Sequence, residues 1–328
     1  MTQQPRIDTG STPTCVPAPT AGRRHHLDLT ALVALVVCCA LWGLNQVAIK
    51  AALPEVPSLV QLSIRSGVAL ALVLAWMKLR GLRFFDRDGT LWPGLFAGTL
   101  FAIEFGCIFV GLKYTTAARS VVFINTSPFV VALMLAWLIP SERLRPIQIV
   151  GLVLAFVAVA FAFNDPNSSQ SGHSWVGDAL IVVGAVLWGL TTVVIRTSAL
   201  RATPPEKTLA YQLLVAAVLS PLASIAFGDA WPTHWSALAL SSLFYQAVIV
   251  TFMSYLLWFW LLTRYPATQV QAFVFLSPVF GTGLAALLLN EPVGPRLLIG
   301  LAGVAVGIYL VSRKAPSSGA RHDSKPGV

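Results

Sequence analysis

Apolar residues arrive in long blocks broken by short polar or Pro- and Gly-containing stretches, each block about as long as one membrane crossing. A hydrocarbon core about 30 Å thick takes roughly 20 helical residues. With charges, prolines and glycines as punctuation, the pattern predicts helices over 30–49, 58–77, 91–111, 118–139 and 146–163. A second set follows over 178–196, 207–227, 237–262, 267–289 and 295–312. The polar run Asn164–Ser174 is the longest internal interruption and divides ten predicted spans into two sets of five. The expected fold is an all-α polytopic membrane protein. Its units are a tail over 1–28, five spans over 29–165, an external linker over 166–177, five spans over 178–313 and a tail over 314–328. Both tails read as solvated and disordered, and the first lacks the early apolar stretch of a secretory signal.

Composition narrows the class. Of 328 residues 56% are hydrophobic and 11% charged, against about 25% charged in soluble domains. A net charge of +9 would point to nucleic acid on a soluble chain, but here the bases sit in tails and short loops. With the N-terminus in the cytoplasm and alternating loops, seventeen Lys and Arg fall inside. Four (Lys50, Lys113, Arg119 and Arg296) fall outside, and Arg65 lies within a span. That asymmetry is the positive-inside bias of a ten-span protein with both termini cytoplasmic, placed in a cell (inner) membrane. The expected environment is a lipid bilayer, with no nucleic-acid partner. Cys15, Cys38, Cys39 and Cys107 form no C-x-x-C pair, so no disulfide framework, metal site or cofactor is expected.

The two sets of spans resemble each other. Leu41–Lys50 (LWGLNQVAIK) matches Leu187–Arg196 (LWGLTTVVIR) at a spacing of 146 residues. Leu112–Pro128 (LKYTTAARSVVFINTSP) matches Leu262–Pro278 (LTRYPATQVQAFVFLSP) at 150, and Glu142–Pro146 matches Glu291–Pro295. Five spans is an odd number, so the second set enters the membrane upside down, the arrangement by which secondary transporters exchange which side is open. Trp42-Gly43 and Trp188-Gly189, Ser127-Pro128 and Ser277-Pro278, and Glu142 and Glu291, in that order on this background, resemble the two EamA domains of the drug/metabolite transporter superfamily. The resemblance covers about residues 30–313. It implies a substrate pathway between two inverted five-helix repeats, usually for export of amino acids or other small metabolites.

Polar groups at membrane depth carry the candidate chemistry. Arg65 and Glu104 each lie seven residues, roughly 10 Å, from the outer end of their spans. An intramembrane charge is costly, so the pair is either a buried salt bridge fixing the second and third spans or a pathway site for charged substrate or a proton. Trp42, Asn45 and Gln46 share one face of the first span, as Trp188, Thr191 and Thr192 do in the sixth. Such faces line a cavity or make interhelical hydrogen bonds. Thr251, Ser254, Tyr255 and Trp258 form a similar stripe in the eighth span, where Ser254 is the register partner of Glu104. Pro128 and Pro278 fall about 15 Å into their spans and should bend them near the midplane, freeing the carbonyls of Ile124 and Val274. The bends serve either substrate contact or packing alone. Gly151, Gly300, Gly303 and Gly307 read as close helix packing.

The expected function is secondary transport of a small polar metabolite by alternating access, with export implied by the resemblance. The expected site residues are Trp42, Asn45, Gln46, Arg65, Glu104, Pro128, Trp188, Thr192, Ser254, Tyr255 and Pro278. Protons are a candidate coupling ion, through Glu104, and a monomer suffices. A passive channel or a lipid scramblase is the alternative. A membrane-embedded enzyme lacks its parts, since all five histidines lie in tails or loops and no H-E-x-x-H, G-x-S-x-G or P-loop occurs.

Overall fold

The computed structural model describes residues 28–84, 86, 88–138, 146–163, 173–265, 273, 274 and 276–312. Both tails, Glu142, most of the Asn164–Ser174 run and most of the first half of the ninth predicted span lie outside the described residues. Regular structure among the described residues is entirely helical. In chain order the first half supplies α1 (Leu29–Ala52), α2 (Ser58–Leu79), α3 (Leu91–Gly111), α4 (Ala117–Ile124), α5 (Ser127–Leu138) and α6 (Pro146–Phe163). The second supplies α7 (Ser174–Thr197), α8 (Pro205–Ala226), α9 (Ala237–Phe244), a π-helical segment (Tyr245–Ser254), α10 (Tyr255–Arg264), α11 (Leu276–Leu289) and α12 (Pro295–Ser312).

Seven helical stretches are long and apolar enough to cross a membrane, counting α4–α5 as one and α9 through α10 as another. The fifth, ninth and tenth predicted spans appear as shorter apolar helices, α6, α11 and α12. Eighteen residues of α6 or α12 still extend about 27 Å, close to a hydrocarbon core.

The packing matches itself when the halves are exchanged. α2 lies on α8, α6 on α12, and α4 on α11, each pairing equivalent positions of the two halves. α1 on α11 has its counterpart in α5 and α4 on α7, and α3 on α8 has its counterpart in α2 on the π segment. α3 on α7 is answered by α1 on α9, the π segment and α10.

The repeated sequence motifs make these contacts. A Cβ on Gly43 would lie 2.8 Å from the Ser277 carbonyl and 2.6 Å from the Gly281 nitrogen, so Trp-Gly in α1 lets the backbone of α11 touch it. Gly189 in α7 meets Val130 and the Ser127 carbonyl in α5 in the same way. The small residues of α6 and α12 also interlock, with Gly303 against Ala158 and Gly300 against Ala162. Overpacking costs about 1–3 kcal/mol, so Gly43→Ala is expected to lower the unfolding midpoint in detergent by several degrees. Gly67→Ala and Gly106→Ala, with nothing within 4 Å, should leave it unchanged or slightly raised. Equal midpoints for all three would contradict this packing account.

The prolines do more than bend their helices. Pro128 is the second residue of a new helix, α5, where a missing N–H costs nothing. The fourth span is therefore broken at Asn125–Thr126. Side chains bond carbonyls in the last turns of α4: Asn125 Nδ2 donates to Val121 O at 2.7 Å, and Thr126 Oγ1 to Phe123 O at 2.8 Å. Pro278 likewise sits in the first turn of α11, after Ser277 N donates to Val274 O at 2.9 Å. The bend expected from sequence becomes a start, because a proline is best tolerated where no N–H is needed.

Candidate functional site

The eighth span departs from α-helical winding over Tyr245–Ser254, where the π turn adds a residue and swings polar side chains toward α1 and α2. Thr251 Oγ1 donates to Gln246 O, five residues back, at 2.7 Å. Tyr245 OH donates to Leu41 O at 2.7 Å and Ser242 Oγ to Ala48 O at 2.6 Å, fastening α1. Gln246 Nε2 donates to Gln61 Oε1 at 2.9 Å, fastening α2. Further along, Arg65 Nε donates to Thr251 Oγ1 at 2.7 Å and Trp42 Nε1 to Ser254 Oγ at 2.9 Å. Trp42 also packs its ring on Tyr255 and Trp258, at centroid distances of 6.3 and 5.0 Å.

This frame encloses two opposite charges. Arg65 and Glu104 are each 2% exposed. The guanidinium lies 4.1 Å over the Phe105 ring and 5.6 Å from that of Phe109, a cation–π platform supplied by α3. Glu104 and the Tyr255 hydroxyl are within electrostatic reach of it. No hydrogen bond or salt bridge joins Arg65 directly to Glu104, and Arg65 Nη1 and Glu104 Oε2 make no hydrogen bond to any described group. The direct pair expected from matched depth is therefore not formed in this state, because Thr251 and Phe105 hold the guanidinium. Asn45 Oδ1 and Gln46 Oε1, on the same α1 face as Trp42, are also buried without a partner. Buried polar groups are ordinarily hydrogen-bonded, so Arg65 Nη1 and Glu104 Oε2 keep bonding capacity open.

Of the expected site residues, Trp42, Arg65, Glu104, Ser254 and Tyr255 come together here. Trp188 is 38% exposed, Thr192 Oγ1 donates to Trp188 O at 3.0 Å, and neither contacts this group among the described residues. Pro128 and Pro278 mark the helix starts of α5 and α11 against which α7 and α1 pack. A cavity of about 500 Å³ lies at the α1–α2 turn, lined by Lys50, Leu53, Pro54, Pro57, Lys113 and Asp229. An apolar groove of about 590 Å³ runs between α2 and α9. Neither touches an expected site residue.

Reading the sequence missed a second buried charge pair. Arg119 Nη2 meets Asp178 Oδ2 at 2.5 Å and its Nε donates to both carboxylate oxygens, while Nη1 reaches Ala162 O at 3.0 Å. Thr115 Oγ1 completes the group at 2.5 Å from Asp178 Oδ1. One cluster thus ties α4, α6 and α7. Arg119 counted among the outside charges in the sequence, although it falls one residue inside the fourth predicted span.

The same end holds a cross-half cap. Asn290, at φ 52°, turns the chain after α11 so that the Glu291 carboxylate accepts from Ala117 N at 2.8 Å and Ala118 N at 2.9 Å, the open N–H groups of α4. Lys50 Nζ donates to Leu112 O and Thr115 O, at 2.5 and 2.7 Å, closing the end of α3. Glu291 is thus a capping residue, which explains why a Glu opens this loop.

At the opposite end Lys207 Nζ meets Asp88 Oδ2 at 2.7 Å, and Asp88 also accepts from Thr90. The Lys207 hydrogen bond, aided by Thr90, holds the Asp88 carboxyl well below the usual carboxylate range. A depressed folded value means the contact contributes fully above about pH 4 and is lost as pH falls through that lower value. The stability gap between wild type and Asp88→Asn is therefore expected to stay constant from about pH 7 to 5 and to shrink below about pH 4. Unfolding midpoints in detergent across that range check it; a gap that widens in acid would contradict it.

Known proteins place this arrangement. Residues 29–164 and 175–313 each match the EamA-like transporter family. An uncharacterized transporter of Archaeoglobus fulgidus is 27% identical over 286 residues, covering 85% of this chain and 96% of that protein. The uncharacterized transporter YvbV of Bacillus subtilis is 28% identical, covering 87% and 92%. A probable amino-acid metabolite efflux pump of Escherichia coli is 25% identical, covering 85% and 92%. A crystal structure at 19% identity aligns over 86% of this chain and 96% of its own with a TM-score of 0.61, which shows a shared fold. Two matched copies, a multi-pass helical membrane architecture and transporter relatives agree: the chain belongs to the EamA-like transporter family.

Proposed function

We propose that the protein is a ten-span secondary transporter that moves a small polar metabolite outward across a bacterial inner membrane by alternating access between two inverted halves. The observation that carries the reading is the group around Arg65 and Glu104, two charged side chains each 2% exposed and framed by helices of both halves. A channel needs a continuous aqueous path, whereas a carrier passes through a state in which its site is closed. The exchange-matched packing of the halves supports rocking of one against the other, and the loop charges support cytoplasmic termini. Amino acids and related compounds are the first class to try, since the Escherichia coli relative is named a probable amino-acid metabolite efflux pump.

Purified protein in proteoliposomes, offered a panel of small metabolites with and without a pH gradient, tests the function. Saturable uptake that disappears in Arg65→Gln supports it; passage without saturation, or unaffected by Arg65→Gln, sinks it. Orientation has its own test. A cysteine at exposed Thr233, between α8 and α9, is expected to react with an impermeant maleimide from the periplasm, and one at exposed Arg201 only after the membrane is opened. The reverse pattern overturns the topology.

A further inference from the structure

Gln246 and Thr251 share a face of the eighth span only because the winding between them is π. Gln246 is fixed to α2 through Gln61 at 2.9 Å, and Thr251, five residues on, meets Arg65 of the same helix at 2.7 Å. In a π helix residues five apart fall in register. In an α helix the residue in register is four apart, which here is Val250. With Gln246 kept in place, α winding would turn Thr251 about 140° away and put an apolar side chain beside the guanidinium. Thr251 gives its own proton to Gln246 O, a bond made by the five-residue spacing, and this leaves its oxygen free to accept from Arg65.

We propose that this segment is a winding switch: π winding holds Arg65 away from Glu104, and α winding lets the two close into an ion pair. Arg65 and Glu104 belong to the first half and Thr251 to the second, so movement of one half against the other engages or withdraws the hold. Each winding leaves something unmet. In the π form Arg65 Nη1 and Glu104 Oε2 have no hydrogen-bond partner among the described residues. In the α form the charges pair, but Arg65 loses Thr251, and Ser254, three residues further on, turns out of line with Trp42. Two arrangements that trade one set of buried bonds for another lie close in free energy, as a two-state element requires. The consequence for transport rests on the reading of this group as the solute site. The π form presents both charges to a solute, and the α form makes them satisfy each other when the site is empty.

The test is a mutant cycle read first by stability, which needs no solute. Thr251→Val keeps the shape of the side chain and removes the oxygen that holds Arg65. In the otherwise wild-type protein it is expected to leave the unfolding midpoint in detergent unchanged or raised, because the freed guanidinium closes on Glu104. In a Glu104→Gln background, where no ion pair can form, the same change is expected to lower the midpoint. Equal falls in the two backgrounds, or a Thr251→Val protein too unstable to purify, overturn the switch and leave Thr251 a packing residue. The second readout is saturable uptake in proteoliposomes. Thr251→Val is expected to transport at least about ten-fold more slowly, and Thr251→Ser, which keeps the oxygen, within about two-fold of wild type. Uptake by Thr251→Val equal to that of wild type also overturns the proposal, since the hold on Arg65 would then be idle. Absence of saturable uptake by wild type sinks the transport function, while the midpoint cycle still decides the switch.

Discussion

Asp178→Asn is expected to cost the folded protein about 3–5 kcal/mol, because it breaks a buried ion pair by removing the charge that Arg119 Nε and Nη2 meet. Arg119 and Asp178 have side chains 4% and 1% exposed, and the carboxylate receives Nε, Nη2 and the Thr115 hydroxyl together. Three helices meet there, so the loss should appear as a lowered unfolding midpoint and a shortened half-life in detergent. Lys113→Ala, which removes an exposed partner of Asp229 at 3.5 Å, is the control and should cost about 0–1 kcal/mol. Replacing both charges, Arg119→Met with Asp178→Leu, should recover much of the loss, since a buried pair is replaced rather than broken. Equal effects of Asp178→Asn and Lys113→Ala would contradict a structural role for the cluster.

The opposite balance is expected at the central site. The double variant Arg65→Met with Glu104→Gln removes two buried charges that make little use of each other. It should leave the unfolding midpoint unchanged or raised while transport falls at least about ten-fold. Groups kept for function are held at a cost in stability, whereas Arg119–Asp178 is held for stability itself. Transport retained in the double variant would show that Arg65 and Glu104 only pack.

Membrane class and internal duplication were legible because both rest on long-range pattern: block length, loop charge and recurrence at 146 and 150 residues. Polar stripes named Trp42, Ser254 and Tyr255 as site candidates, and matched depth gave an Arg65–Glu104 pair that this state does not form. What escaped the pattern was local winding. The π segment has no residue signature of its own, and its trace in the sequence was an eighth span longer than the third, 237–262 against 91–111. That extra length aims Thr251 at Arg65 and so keeps the guanidinium from closing on Glu104. The prolines misled in a related way: sequence places them at mid-span, but whether a chain bends or restarts depends on whether neighbours such as Asn125 and Thr126 can cap the end of the preceding helix. Arg119 was hidden by its position two residues into a predicted span, where a snorkelling loop charge and a buried ion pair look alike until Asp178 is brought across from the other half.

The central claim, a carrier that alternates between two halves around a buried site, is tested most directly by exchange. Proteoliposomes are preloaded with the unlabelled solute identified in the uptake panel, and entry of the labelled solute is followed from outside. Alternating access predicts trans-stimulation: internal solute speeds the return of the site, so labelled entry is faster into loaded vesicles than into empty ones and saturates in both. Entry that rises linearly with external concentration and is indifferent or opposed to internal solute would contradict the account and identify a pore.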